Sequence, residues 1–158
     1  MNTQTDREPH HSPAPFQAAS QIPLNTFKTV VDIVDGYHSI PLNEESQHLT
    51  TFTTEWGRYY HLRAPQGWKG SGDMFTRRYD DITANVTDKV KVVDDTLLYQ
   101  PTIESSFYHT WDFLTLLAQH GVVASKKKFK FARQSVEFAG LMVTPIGVPA
   151  LLLGTRYV

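Results

Sequence analysis

Cysteine is absent from the 158 residues, which excludes a disulfide framework and any thiolate metal site. Long apolar runs are missing too, and nothing approaches the roughly 20 residues that a membrane-spanning helix needs. The polar opening "MNTQTDREPHHSP" lacks the apolar stretch of a secretory signal. The expected setting is therefore soluble and intracellular, not secreted and without a membrane partner. Neither sign of charge dominates: 15 Lys and Arg stand against 16 Asp and Glu, a formal net charge of -1. No global field draws such a chain to nucleic acid, so any such attraction must come from local clusters. No internal repeat is evident. What remains, 41% apolar and 20% charged residues, is the composition of one soluble globular domain with a real core.

Residues 1–26 are polar and carry Pro9, Pro13, Pro15 and Pro23, which predicts an extended N-terminal arm. "FKTVVDIV" (27–34) is β-branched and apolar, a buried strand broken by Asp35-Gly36. Residues 48–54 and 57–64 read as a hairpin through Glu55-Trp56-Gly57. After the Pro/Gly-rich loop 64–72, Phe75, Tyr79, Ile82 and Val86 recur at helical spacing. "KVKVV" and "TLLYQ" are short strands flanking an acid pair. Thr102 can cap a second helix, with Glu104 in its first turn, Phe107, Trp111, Leu114 and Ala118 on one face, and Gly121 as its stop. "KKKFKFA" and "SVEFAGLMV" form a last hairpin. This order predicts an α+β domain whose helices pack on one face of an antiparallel sheet.

The residues that invite chemistry are Asp94 and Asp95 in "KVKVVDDTLLYQ". Two adjacent carboxylates between apolar strands should occupy a tight turn and point at one spot. An ordinary polar turn is one reading. Asp-Asp is poor turn chemistry, however, unless a cation is bound. Asp32, near the end of the first apolar strand, should lie beside that turn. Three carboxylates at strand ends call for a divalent ion, and oxygen ligands of this kind suit Mg²⁺. Asp80-Asp81 and Arg77-Arg78 read as a solvated helix face, and His10-His11 as a tail with no partner at ligand spacing. "KKKFKF" reads either as a solvated edge strand or, through Lys126, Lys127, Lys128 and Lys130, as a phosphate-tracking surface. Tyr37 and Trp68 are equally compatible with core packing.

Five segments decide among these readings: "VDIVDGYHSIPL" (31–42), "RAPQGWKGSGDMFTRRYDDI" (63–82), "VVDDTLLY" (92–99), "GVVASKKKFKFA" (121–132) and "VEFAGLMVT" (136–144). In this order they resemble the palm motifs of reverse transcriptases, most of all those of gypsy-type LTR retrotransposon polyproteins. The likeness runs over roughly residues 8 to 148. It implies a palm at 27–148 with partial fingers at 43–64 and a truncated tail at 149–158, the fingers and thumb being incomplete or missing. The activity implied is that of an RNA-directed DNA polymerase, a nucleotidyltransferase using two Mg²⁺, with Mn²⁺ able to substitute. Its partners would be an RNA or DNA template with primer, deoxynucleoside triphosphates, and the fingers, thumb and RNase H regions of a parent polyprotein. Its setting would be the cytoplasm or a virus-like particle. A catalytically silent relic that at most binds nucleic acid is the alternative.

The resemblance also implies roles. Asp32 and Asp94 would be the main metal ligands, with Asp95 the third carboxylate and the Ile33 carbonyl a further ligand. Tyr37 matches the position under the incoming sugar, while Asp35 and Gly36 would turn backbone N–H groups toward the triphosphate. Gln66 matches the residue that contacts the nucleotide and its template partner, with Gly67 allowing close backbone approach. Lys128 falls at the place of a triphosphate-proximal lysine, with Lys127 as the other choice. Val92 stands near the primer end, and Phe138, Ala139 and Gly140 match the hairpin that grips the primer.

Overall fold

A computed structural model of the chain describes His10 and residues 12–148; the expected tail at 149–158 lies outside the described residues. In chain order the elements are α1 (Pro15–Ser20), β1 (Phe27–Val34), α2 (Glu44–Gln47), β2 (Phe52–Thr54), β3 (Gly57–Tyr59), α3 (Ser71–Ile82) and β4 (Lys89–Val92). They continue with β5 (Asp95–Gln100), α4 (Ile103–Gln119), β6 (Val123–Ala124), β7 (Lys130–Arg133), β8 (Val136–Phe138) and β9 (Leu141–Val143). Two compact units divide them. One contains residues 12–34 and 83–148, the other His10 and residues 35–82.

In the first unit β1 is the centre of an antiparallel sheet. It pairs with β5 along one edge and with β6 and β7 along the other, and β4 lies outside β5. Lys28 to Ile33 are all buried, the continuous pattern of a strand covered on both faces. Val30, Leu97 and Val90 share one face. There they join Ala18, Ala19 and Ile22 with the β8–β9 residues Val136, Phe138, Leu141 and Val143 in one apolar core. The opposite face, marked by Thr29, is covered by α4, where the Thr110 hydroxyl donates to Thr29 Oγ1 at 3.4 Å. The α+β architecture with an antiparallel sheet is the expected one.

Several details differ from the sequence expectation. The expected hairpin between "KKKFKFA" and "SVEFAGLMV" does not form: β7 pairs with β1, and the hairpin is β8–β9, within residues 136–143. The expected extended arm contains α1, with Pro15 at its start and Ala18 and Ala19 buried; Pro suits a first helical turn, where its missing N–H costs nothing. In α4 the buried face is Ser106, Thr110, Phe113 and Leu117, one position before the expected set. Phe107 and Trp111 are 52% and 63% exposed, stacked on each other at 6.3 Å. The helix approaches the sheet through small residues whose hydroxyls are satisfied. Ser106 Oγ donates to the Thr102 carbonyl at 2.8 Å. The Thr102 cap itself forms as expected, in a reciprocal box with Ser105.

The second unit carries further differences. Its hairpin is confined to β2 and β3, because residues 44–50 coil into α2 and a 3-10 turn (His48–Thr50). Beyond it, Ala64 N–H donates to the Ile40 carbonyl and Leu42 N–H to that of Leu62, both at 3.0 Å. On α3, Phe75 and Tyr79 are buried and stacked at 5.6 Å, whereas Val86 lies past the helix end. His10 is no free tail: its Nε2 meets Asp80 Oδ2 at 2.7 Å and its N–H donates to Asp73 Oδ1 at 3.2 Å.

The two faces of α4 provide a test. Phe113→Ala opens a cavity at a 1% exposed site and should cost about 3–5 kcal/mol. Phe107→Ala should cost about 1 kcal/mol or less, as an exposed position does. Urea denaturation of the two variants reads the difference, and equal losses would put the helix in the wrong rotation.

Candidate active site at the end of the central strand

The register of the sheet assembles the acids. Asp32 of β1 lies directly across from Asp95 of β5, and Asp95 across from Val92 of β4. Cross-strand partners project to the same face, so Asp32 and Asp95 meet while Asp94 does not share their row. Because Val92 pairs with Asp95, the two-residue loop is Val93-Asp94 and not the expected Asp94-Asp95 turn. Asp94 is exposed at its tip. Val93 is left-handed, with φ of 54°, a region that β-branched residues rarely enter. Its N–H donates to Ser12 Oγ at 3.1 Å, a contact for which the sequence carries no signal.

Burial of Asp95 pushes its carboxyl up from the usual 3.8 to about 6, helped by a hydrogen bond with Asp32 and by the charges of Asp32 and Asp94, against the opposing pull of Lys128. Below about pH 6 a protonated Asp95 can therefore donate to Asp32, its partner across the strand pair. Lys128 Nζ donates to Asp32 Oδ1 at 3.0 Å, and that hydrogen bond, followed by the Asp32 charge, raises the ammonium's pKa. The Asp32 side chain is 9% exposed and that of Lys128 69%. Lys128 reaches Asp32 because its turn is fastened to the same strand: Ser125 N–H donates to the Asp32 carbonyl at 2.8 Å, and Phe129 N–H to the Ser125 carbonyl at 3.1 Å. Between the two candidates, Lys128 is the lysine at the acids, while Lys126 and Lys127 are exposed. Among the described residues no three of His, Cys, Asp and Glu are grouped to hold a metal ion; two carboxylates and an ammonium meet where three carboxylates were expected.

The remaining candidates in this unit are structurally varied. Ile33 is buried and pairs with Ala124. Val92 is half-buried against the apolar core. Phe138 is a core residue at 1% exposure. After it, Ala139 and Gly140 form a two-residue turn, both left-handed with φ of 47° and 79°, as primed hairpin turns require. Lys130 is exposed on β7.

In the other unit, Asp35, left-handed with φ of 50°, heads a 3-10 turn over Gly36–Ser39. A Cβ on Gly36 would lie 2.7 Å from the Phe75 ring, so only glycine fits there. Tyr37 packs edge-on against Phe75 at 6.0 Å. Gln66 and Gly67 line an open cleft of about 480 Å³ with Thr50, Phe52, His61 and Trp68. Ser71 Oγ, buried, donates to the Pro65 carbonyl at 2.7 Å and fixes the loop that carries them.

Comparison with known proteins agrees on one family. The model of the reverse transcriptase (RNA-dependent DNA polymerase) family matches residues 2–143. The retrovirus-related Pol polyprotein from transposon gypsy of Drosophila melanogaster is 29% identical over 123 residues, 77% of this chain and 12% of that one. The Pro-Pol polyprotein of Simian foamy virus type 1 is 30% identical over 128 residues, 81% of this chain and 11% of that one. The chain thus spans about an eighth of these relatives. Among solved structures, the foamy viral protease-reverse transcriptase in complex with RNA/DNA hybrid has the same fold. Its TM-score is 0.84 at 23% identity, covering 95% of this chain and 21% of that one.

The shared proton has a pH signature. Asp95 stays protonated in the folded protein up to about pH 6 but ionises near pH 4 when unfolded. Across that window the folded state binds more protons, so the Asp95 contribution to stability is present below it and lost as pH rises. In chelator-treated protein, Asp95→Asn should therefore raise Tm at about pH 7.5 and raise it less, or not at all, at about pH 4.5. Scanning fluorimetry across the range reads this, and a gain independent of pH would contradict the shared proton.

Proposed function

The chain belongs to the reverse transcriptase (RNA-dependent DNA polymerase) family, and from that premise we propose that it is the palm segment of an RNA-directed DNA polymerase, extending a primer 3′-hydroxyl with deoxynucleotides. The observation that carries the reading is the Asp32–Asp95 pair with an ammonium 3.0 Å from Asp32. A donor set made only of oxygens, already drawing a cation, fits a hard divalent metal. Asp32, Asp94 and Asp95, with the Ile33 carbonyl, would hold Mg²⁺ as two ions, with Mn²⁺ able to substitute. When bound, such ions lower the cost of the attacking alkoxide and of the leaving oxygen in an in-line phosphoryl displacement.

The chain's own residues would supply positioning. Tyr37, its ring braced by Phe75, would bear on the sugar of the incoming nucleotide, and Asp35 and Gly36 would offer backbone N–H groups to its triphosphate. Gln66 and Gly67 would contact the nucleotide and the template base. Val92 and the turn Phe138-Ala139-Gly140 would border the primer end. Lys128 would deliver a proton toward the departing pyrophosphate. Lys126, Lys127 and Lys130 would track phosphates of an RNA or DNA template with its primer. In the longer polyprotein, fingers, thumb and RNase H regions would be further partners. Among the described residues no helix is long and apolar enough to cross a membrane.

Primer extension on an RNA template with Mg²⁺ or Mn²⁺ tests the reading. Asp94→Asn and Asp32→Asn should each lower extension by at least about a hundredfold, the scale of losing an electrostatic stabiliser of a transition state. Extension that survives Asp94→Asn would overturn the metal assignment. Charge removal at the lysines has a separate signature. Neutralising Lys126, Lys127 and Lys130 together should flatten the dependence of duplex affinity on log salt by about 0.9 per lost phosphate contact. Salt-sensitive binding in a wild-type chain that never extends a primer would favour a binding module over an enzyme.

A further inference from the structure

We propose that Lys128 is the resident counter-cation of the carboxylate pair and gates its access to metal, holding Asp32 in the metal-free protein and withdrawing when a divalent ion enters. The proposal rests on reading this cluster as a divalent-cation site, and deepens it.

Four observations carry it. Lys128 Nζ covers Asp32 Oδ1 at 3.0 Å, so one of the oxygens a metal would use is already taken. The lysine is 69% exposed and Asp32 only 9%: the stem lies in solvent with only its head docked, and withdrawal costs little packing. Its turn does not depend on the side chain, since the Ser125–Asp32 and Phe129–Ser125 backbone bonds fix it. Finally, the pair cannot simply be left alone. Without the ammonium, Asp32 and Asp95, direct cross-strand partners in the β1–β5 register, would adjoin without its charge beside them. One cation must be exchanged for another. Lys126 and Lys127, in the same turn, make no such contact among the described residues.

The exchange is readable without any polymerase activity. Mn²⁺ binding to the 158-residue chain, free of nucleic acid, is followed by calorimetry and by the EPR signal of free Mn²⁺. Lys128→Gln should bind roughly three- to tenfold tighter than wild type, whereas Lys127→Gln should stay within about twofold, because an exposed, undocked charge is screened. In chelator, Lys128→Gln should also melt lower than wild type and gain more from added Mn²⁺. Asp32→Asn should abolish the binding in either background. Unchanged or weaker Mn²⁺ affinity in Lys128→Gln would overturn the gate while leaving the metal site standing, as would an equal gain in Lys127→Gln. Absence of Mn²⁺ binding by both wild type and Lys128→Gln would overturn the metal site and the gate together.

Discussion

A carboxylate in a strand covered on both faces is tolerable only with a cation or a donor beside it, and that constraint on Asp32 organises one whole edge of the sheet. β1 carries two charged residues, Lys28 and Asp32, four apart and hence on one face. Each is answered from the same stretch of chain. Lys28 Nζ donates to the carbonyls of Thr26 and Gln134 at 2.9 and 3.0 Å, and Asp32 takes Lys128 Nζ at 3.0 Å. Between them Thr29 Oγ1 accepts the Ala132 N–H at 3.1 Å. The segment from 125 to 134 is thus tied to β1 at three points by polar side chains, where the β7 ladder itself is irregular. Apolar residues at these positions would give a more stable strand in isolation, but would leave the segment held only by the Ser125–Asp32 backbone bond and the irregular β7 ladder.

The same strand sets the site's composition. Because side chains alternate, Asp32 can share a row only with Asp95 and Val92, and a slip of one residue would carry the acid to the α4 face. Register is therefore more than a matter of packing. It decides which of the two consecutive acids shares a proton with Asp32 and which is left at the loop. Adjacent carboxylates of identical chemistry acquire different environments, Asp95 half-buried and protonated up to about pH 6, Asp94 exposed. A carboxyl raised by burial and by neighbouring acids, as Asp95 is, makes this spot a candidate functional site.

Much of this was legible in the residues, and each departure has its own physical cause. The central strand, the β4–β5 hairpin, the Thr102 cap and the antiparallel α+β layering follow from local patterns. The α4 face was misread because Phe107 and Trp111 outrank Ser106 and Thr110 in hydropathy, yet the close approach to the sheet favours small residues whose hydroxyls find partners. The proline-rich arm hides a helix because Pro15, rather than ending a helix, opens its first turn. That Lys128 and not Lys127 meets Asp32 is not written in a run of three identical residues. It depends on a backbone bond from Ser125 to Asp32, which no periodicity encodes.

The two tight hairpins show where the chain departs from its own local preferences. At Ala139-Gly140 both left-handed positions are held by small residues, glycine among them, and the turn needs no further support. At Val93-Asp94 a β-branched residue takes the left-handed position, although Asn-Gly or Asp-Gly would relax the loop. A residue kept in a sparsely populated conformation persists only where its surroundings hold it there. Here they include the β4–β5 ladder up to the Val92–Asp95 pair and the Ser12 hydroxyl on the Val93 N–H. Relaxing that loop would free the backbone that sets the direction of Asp94, the one acid the ladder does not hold. The departure from local preference thus falls at the residue preceding the least constrained carboxylate, where orientation has to come from the turn itself.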